Sequence, residues 1–114
     1  MISYSRGTII TVDLEANGSV QGGKRPALIV SNNTGNKHSP VLIVVPLTSQ
    51  TKKTMPTHHK ITTGGVNGLF KESIALCEQI ITVNKNRVHS SIGYVEEYDM
   101  DCINNKLKAS LSLI

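Results

Sequence analysis

The sequence predicts a mainly β fold of the α+β kind: a small, strongly curved antiparallel sheet or partly open barrel, closed by one C-terminal α-helix. Three observations carry this. Short runs rich in β-branched residues recur between turns containing Gly, Asn and Pro. One run, Val41-Leu42-Ile43-Val44-Val45, is apolar without alternation, as a strand covered on both faces is. Near the end of the chain the apolar spacing changes from two residues to three and four, the mark of a helix lying on a sheet. With 114 residues the chain suffices for one domain, 1–114, and not for two.

The elements follow in order. Residues 7–14, GTIITVDL, read as a first strand. The segment 15–23 carries two adjacent glycines, Gly22 and Gly23, and little to bury, so it reads as a long polar loop. A second strand covers 25–31, with Pro26 near its start, where a missing N–H is best tolerated. A loop over 32–40 leads to the apolar run 41–48, expected at the centre of the sheet. Residues 57–62 form a weaker, more exposed strand, and Gly64-Gly65-Val66-Asn67-Gly68 breaks the chain after it. A long strand is expected over 73–83, with Ile74, Leu76, Glu78 and Ile80 on one face. A short last strand covers 87–94. Met100, Ile103, Leu107, Leu111 and Ile114 then form one helical stripe, with Glu96, Glu97 and Asp99 at its start, where the helix dipole favours negative charge.

Composition narrows the function. Twelve Lys and Arg against eight Asp and Glu give a formal charge of +4, which suits attraction to a polyanion. Tryptophan is absent and aromatic residues make up 4%, so a surface of stacked aromatics in the manner of an RRM is not expected, and base recognition must rest on hydrogen bonds and loops. No run is long or apolar enough to span a bilayer, and the N-terminus lacks the order of a signal peptide, so a cytoplasmic protein without a membrane partner is expected. Cys77 and Cys102 lie far apart in apolar surroundings and read as core residues. His38, His58, His59 and His89 show no metal-ligand spacing and read as surface histidines, the adjacent pair His58 and His59 pointing to opposite faces of a strand. No metal and no cofactor is expected. GxSxG, GxxxxGK[ST] and GxGxxG are all missing.

What remains is the motif Gln21-Gly22-Gly23-Lys24-Arg25-Pro26 at the mouth of an apolar strand. A glycine pair followed by a fixed guanidinium holds a cation beside an anionic ligand, so phosphate is the first candidate. Thr48 at the end of the central run, and Ser73, Glu78 and Gln79 later, supply hydroxyl, carboxylate and amide groups. RNA carries its own nucleophile, the 2′-OH, so cleaving it needs alignment, proton transfer and positive charge at the phosphate.

Four ordered segments resemble the MazF/PemK family of toxin endoribonucleases: Arg6-Gly7 opening the first strand, the motif 21–26 with Ile29-Val30-Ser31-Asn32, Val44-Val45-Pro46-Leu47-Thr48, and Leu76-Cys77-Glu78-Gln79-Ile80. The resemblance implies an SH3-like, CcdB/PemK-like barrel with a terminal helix. It implies a homodimeric, metal-independent toxin that cuts single-stranded RNA at short sequences and is held inactive by a cognate MazE-like antitoxin. It also implies that Arg25 and Thr48 are catalytic, with Arg25 serving proton transfer or phosphate charge and Thr48 orienting the scissile phosphate. Gln21, Gly22, Lys24, Ser49, Lys52, Lys53, Ser73, Glu78 and Gln79 are then the expected substrate contacts. A guanidinium holds its proton above about pH 12 and is an awkward general base, so Glu78 stands as the alternative base. The competing reading is a non-catalytic binder of the same fold, a CcdB-like gyrase inhibitor or an RNA-binding barrel.

Overall fold

A computed structural model of the chain describes residues 2, 4–14, 23–50 and 53–113. Among them seven strands form one antiparallel sheet: β1 (Thr8–Leu14), β2 (Gly23–Ile29), β3 (Val41–Thr48), β4 (His58–Ile61), β5 (Ser73–Leu76), β6 (Ile81–Asn84) and β7 (Val88–Tyr94). Two α-helices, α1 (Asn33–His38) and α2 (Glu97–Leu111), complete it, with a 3-10 turn over Lys85–Arg87. The strand order is β4-β5-β3-β2-β1-β7, and β6 also pairs with β3. The mainly antiparallel sheet with its C-terminal helix is the fold class the sequence predicts.

Alternation along β1 sends successive side chains to two cores. Ile9 packs with Leu28, Val45, Leu47, Ile61, Ala75 and Ile103, whereas Ile10, Val12 and Leu14 pack with Ala27, Ile29, Leu42, Val44 and Val83. Helix α2 covers the first of these through Ile103, with Met100 and Leu107 half-buried against it. Leu111 falls on the same expected stripe but stays exposed, because the helix runs past the edge of the core before Ser112 ends it in a left-handed conformation. Ile114 lies outside the described residues.

Four expectations need correction. The loop expected over 32–40 contains α1, held by the Asn32 side chain accepting from the Gly35 N–H at 2.7 Å and by buried Asn36, whose amide donates to the Ser31 carbonyl at 2.8 Å. Polar capping builds this helix, so no apolar period announces it. The central strand β3 is not buried throughout, since Ile43 is 40% exposed. The 57–62 strand is less exposed than expected, with His58 and Ile61 both buried. The fourth correction is the largest: the single strand expected over 73–83 is two strands.

Both of those strands pair with β3. Leu47 pairs with Ala75 and Val44 with Ile81. Between these pairs lie two residues of β3 (45 and 46) but five of the later chain (76–80), so three are extra (5 − 2 = 3). They are taken up in a turn in which the Gln79 N–H donates to the Leu76 carbonyl at 2.9 Å. Pro46, beside the break, has no N–H to give to a ladder.

The sheet's end strands, β4 and β7, do not pair; the β4–β5 loop (62–72) reaches across instead. The Tyr94 N–H donates to the Val66 carbonyl at 3.0 Å. Gly68, at φ +69°, lies so close to β7 that a Cβ would sit 2.0 Å from the Ile92 carbonyl oxygen, and a Cβ on Gly93 would sit 2.3 Å from that of Val66. Asn67, buried, braces the loop by donating to the Thr62 carbonyl at 2.7 Å and accepting from the Leu69 N–H at 3.0 Å.

Gly65, at φ +59°, is the natural comparison, because its Cβ would meet nothing nearer than the Glu96 carboxylate at 3.5 Å. Gly68→Ala should therefore destabilise by more than the roughly 1–3 kcal/mol of a left-handed backbone alone, and by more than Gly65→Ala. Urea midpoints of the two variants test this, and equal shifts would remove the close approach as a constraint.

Candidate active site

A cavity of about 520 Å³ opens on the α2 face of the sheet, beyond the end that the helix covers. Its floor continues the strand alternation of that core: Thr11 after Ile9, Pro26 before Leu28, and Leu47 after Val45. Arg25 and Pro26 enter from β2, Thr48 and Ser49 from the end of β3, and Ser73, Leu76 and Gln79 from β5 and the turn after it. The 62–72 loop gives the opposite wall, with Leu69, Phe70 and Lys71, and Ile92 of β7 meets it there.

These residues converge at the strand ends. Arg25 sits opposite Val12 near the start of β2; alternation sets it with Ala27 and Ile29 rather than with Pro26 and Leu28, but at this end of the strand its half-buried side chain still reaches the cavity. Thr48 is the last residue of β3 and pairs with Ile74, which puts it next to Ser73. Its hydroxyl accepts from the Gln50 N–H at 3.2 Å and keeps its own proton to donate. Ser73 is buried and donates to the Lys71 carbonyl at 3.0 Å, which ties the loop wall to β5.

The structure thus gathers Arg25, Thr48, Ser49, Ser73 and Gln79 around one cavity. Lys24, Lys53 and Glu78 are not among the described residues that line it. Gln21, Gly22 and Lys52 lie outside the described residues. Sequence reasoning missed Phe70 and Lys71; the available signal was a large apolar residue beside a cation inside a turn-rich segment with no period to bury it.

Glu78 is turned elsewhere. One carboxylate oxygen accepts from the Thr57 hydroxyl at 3.0 Å, and the other lies 3.1 Å from His58 Nε2. The Met55 N–H donates to His58 Nδ1 at 3.4 Å, so the ring proton sits on Nε2 and points at Glu78. His58 is 8% exposed, which corrects its reading as a surface histidine. His59 takes the other face of β4, as expected, and meets Asp99 of α2 at 2.9 Å. His89 is bonded to Asp13 at 2.8 Å.

Burial works to raise the Glu78 pKa, but its backbone hydrogen bond and the bonds from His58 and Thr57 outweigh it and hold the carboxyl below its ordinary 4.5. Glu78 is therefore ionised at neutral pH. Burial, and then the Glu78 charge, push the neighbouring Cys77 thiol up to about 11, so Cys77 is a neutral core group. Both cysteines are free thiols, Cys77 buried and Cys102 half-buried.

The described lining holds two cations, Arg25 and Lys71, with hydroxyls and the amides of Gln50 and Gln79, and no carboxylate. Such a set suits a phosphodiester: charge for the phosphate oxygens and hydrogen-bonding groups for what is attached to them. Residues 5–111 match the family described as the PemK-like, MazF-like toxin of type II toxin-antitoxin system.

The chain belongs to this family.

Among curated proteins it is 41% identical over 110 residues to the endoribonuclease MazF of Staphylococcus saprophyticus, covering 95% of this chain and 91% of that one. It is 39% identical over 111 residues to the endoribonuclease EndoA of Bacillus subtilis, covering 96% and 95%. Among solved structures it resembles a mycobacterial endoribonuclease in complex with its cognate antitoxin, with TM-score 0.77, 32% identity and 96% of each chain covered. In this toxin-family chain the turn at 77–80 explains why neighbours in sequence, Glu78 and Gln79, serve different places.

Because the folded pKa of Glu78 is depressed, its stabilisation is fully present above about pH 4.5 and is lost as pH falls through the lower folded value. Glu78→Gln should cost about 1–2 kcal/mol at pH 7. The gap from wild type should narrow steadily in urea titrations run below pH 4.5, and a gap independent of pH would refute the pairing.

Proposed function

We propose that the chain is the toxin endoribonuclease of a type II toxin–antitoxin system and that it cuts single-stranded RNA in the Arg25 cavity without a metal ion. The observation that carries this is the lining itself, with Arg25 and Lys71 beside Thr48, Ser49, Ser73 and Gln79 and no described carboxylate. In the reaction the 2′-oxygen attacks the adjacent phosphorus, the P–O5′ bond breaks, the 2′-OH proton leaves and O5′ receives one. The products are a 2′,3′-cyclic phosphate and a 5′-OH. The Arg25 guanidinium donates to the non-bridging oxygens as charge gathers there, and Thr48 donates its hydroxyl proton to the same phosphate. Gln79, with both donor and acceptor, meets base edges.

The reading includes partners. A cation-lined cavity suits an acidic segment of an antitoxin as well as it suits RNA, so the antitoxin inhibits by occupying the site. The exposed Tyr98, Leu111 and Leu113, along and beyond α2, offer apolar surface for a second copy in a homodimer. A single-stranded RNA substrate fits a cytoplasmic protein, and among the described residues no helix is long and apolar enough to cross a membrane.

Arg25→Ala should remain folded and lower kcat by about 10²–10³, the usual cost of losing one preorganised donor. Arg25→Lys should recover only part of this, since it restores charge without the planar fork. Mapping the ends left on a long natural single-stranded RNA, with EDTA present throughout, reads activity and product chemistry together. Intact RNA across varied sequences, or cleavage by Arg25→Ala at the wild-type rate, would overturn the assignment.

A further inference from the structure

Phe70 is the only phenylalanine of the chain, and its side chain is fully exposed, at 100%. Folding therefore gives its ring no burial, and its place in the molecule has to be explained by something outside the chain. A single exposed apolar residue on a surface needs no explanation. Phe70 is different because it stands on the wall of the Arg25 cavity, next to Lys71, and Gln79 lines the same cavity.

The loop that presents it is fixed on both sides. On one, Asn67 is buried and bonded to the Thr62 carbonyl and the Leu69 N–H, and Gly68 abuts the Ile92 carbonyl. On the other, the Ser73 hydroxyl holds the Lys71 carbonyl at 3.0 Å. The Phe70 backbone is thus set before any ligand arrives, and ordering the ring costs only two side-chain torsions.

We propose that Phe70 is a stacking platform for one base of single-stranded RNA, with the phosphates on either side of that base drawn to Arg25 and Lys71; this rests on the ribonuclease reading above. A nucleotide offers a flat π face and an anion at once, which is the pair of features this wall and its cations complement. Stacking tolerates any base, so Phe70 supplies binding, and Gln79 remains the group that can read an edge. Duplex RNA keeps its bases closed against one another and gains nothing from the platform, so Phe70 also selects for single strands. A stacked base on this one ring would add to base contacts made by hydrogen bonds and loops.

The chain has no tryptophan, so Phe70→Trp introduces a sole indole that reports on its own contacts. The probe is a mixed-sequence 2′-O-methyl single strand, whose capped 2′-oxygen cannot attack, and the same sequence as a duplex. Indole emission should be quenched by the single strand and unchanged by the duplex. On a natural single-stranded RNA, Phe70→Leu, which keeps an apolar side chain but no π face, should raise KM by roughly 5- to 150-fold, equivalent to about 1–3 kcal/mol per stacked base. Its kcat should be nearly unchanged, and Phe70→Trp should restore KM. Thermal midpoints should match wild type, because the side chain is exposed.

Wild-type KM in Phe70→Leu, or indole emission unmoved by RNA that saturates binding, would overturn the proposal. So would emission in the free protein that shifts to the blue as protein concentration rises, since a second copy would then be covering the ring. Intact RNA with wild-type protein would sink the ribonuclease reading instead, and the indole response to strand binding would remain readable by itself.

Discussion

The curvature of the sheet depends on the contact between the 62–72 loop and β7. The order β4-β5-β3-β2-β1-β7 leaves two end strands that do not meet, and open edges invite pairing with other chains. The Tyr94–Val66 hydrogen bond and the abutting backbones at Gly68 and Gly93 draw those ends together without a strand pair. No Cβ fits at either glycine. The cavity is a product of the same contact: Gly68, Leu69, Phe70 and Lys71 form its loop wall, and Ile92 belongs to the strand they press against. Relaxing the seam would separate that wall from Arg25 and Thr48 and dissolve the site without touching either residue.

A second constraint lies in β3, which serves β2 on one side and β5 and β6 on the other. A proline in a strand so placed is unusual, since it removes a donor from the ladder. Here the ladder is interrupted beside it, and the three extra residues accommodated there change which side chains face the cavity. In an unbroken strand Leu76, Glu78 and Ile80 would share a face. The turn instead leaves Leu76 and Gln79 lining the cavity and sends Glu78 to Thr57 and His58.

This is also where the sequence stopped being legible. Helix α2 was readable because its three- and four-residue spacing repeats along it, and strands β1, β3 and β7 because each is a β-branched or apolar run of at least seven residues bounded by turns. The break at 77–80 was hidden because the alternation through Ile74, Leu76 and Ile80 runs smoothly across it, and a register shift against a distant strand leaves no local mark. Helix α1 was hidden because Asn32 and Asn36 hold it, and polar caps have no apolar spacing. Arg25, Thr48 and Gln79 were singled out by their chemistry beside the glycine pair and the apolar run, and a family resemblance rather than a period gave them roles. Phe70 and Lys71 were lost in a segment whose glycines read as a turn, and only the seam with β7 shows why that turn is a wall.

Four of the described carboxylates are paired away from the cavity. Asp13, Glu72, Glu78 and Asp99 are each bonded to a histidine or lysine: His89, Lys60, His58 and His59 respectively. None of the four lines the cavity. A carboxylate 5 Å from a bound phosphate would oppose it by about 3 kcal/mol at an effective dielectric near 20, which is as much as one well-placed guanidinium contributes. Holding Glu78 against His58 therefore protects the field of Arg25. It also weighs against Glu78 as the general base, because a carboxylate whose two oxygens are both engaged, and whose proton affinity is lowered by those bonds, is poorly disposed to take the 2′-OH proton. Under the proposed reaction, the described groups left to meet the phosphate charge are Arg25, Lys71 and Thr48. The His58–Glu78 pair thus bears on the proposed reaction by keeping a carboxylate out of the cavity, while the turn that carries Glu78 away brings Gln79 in.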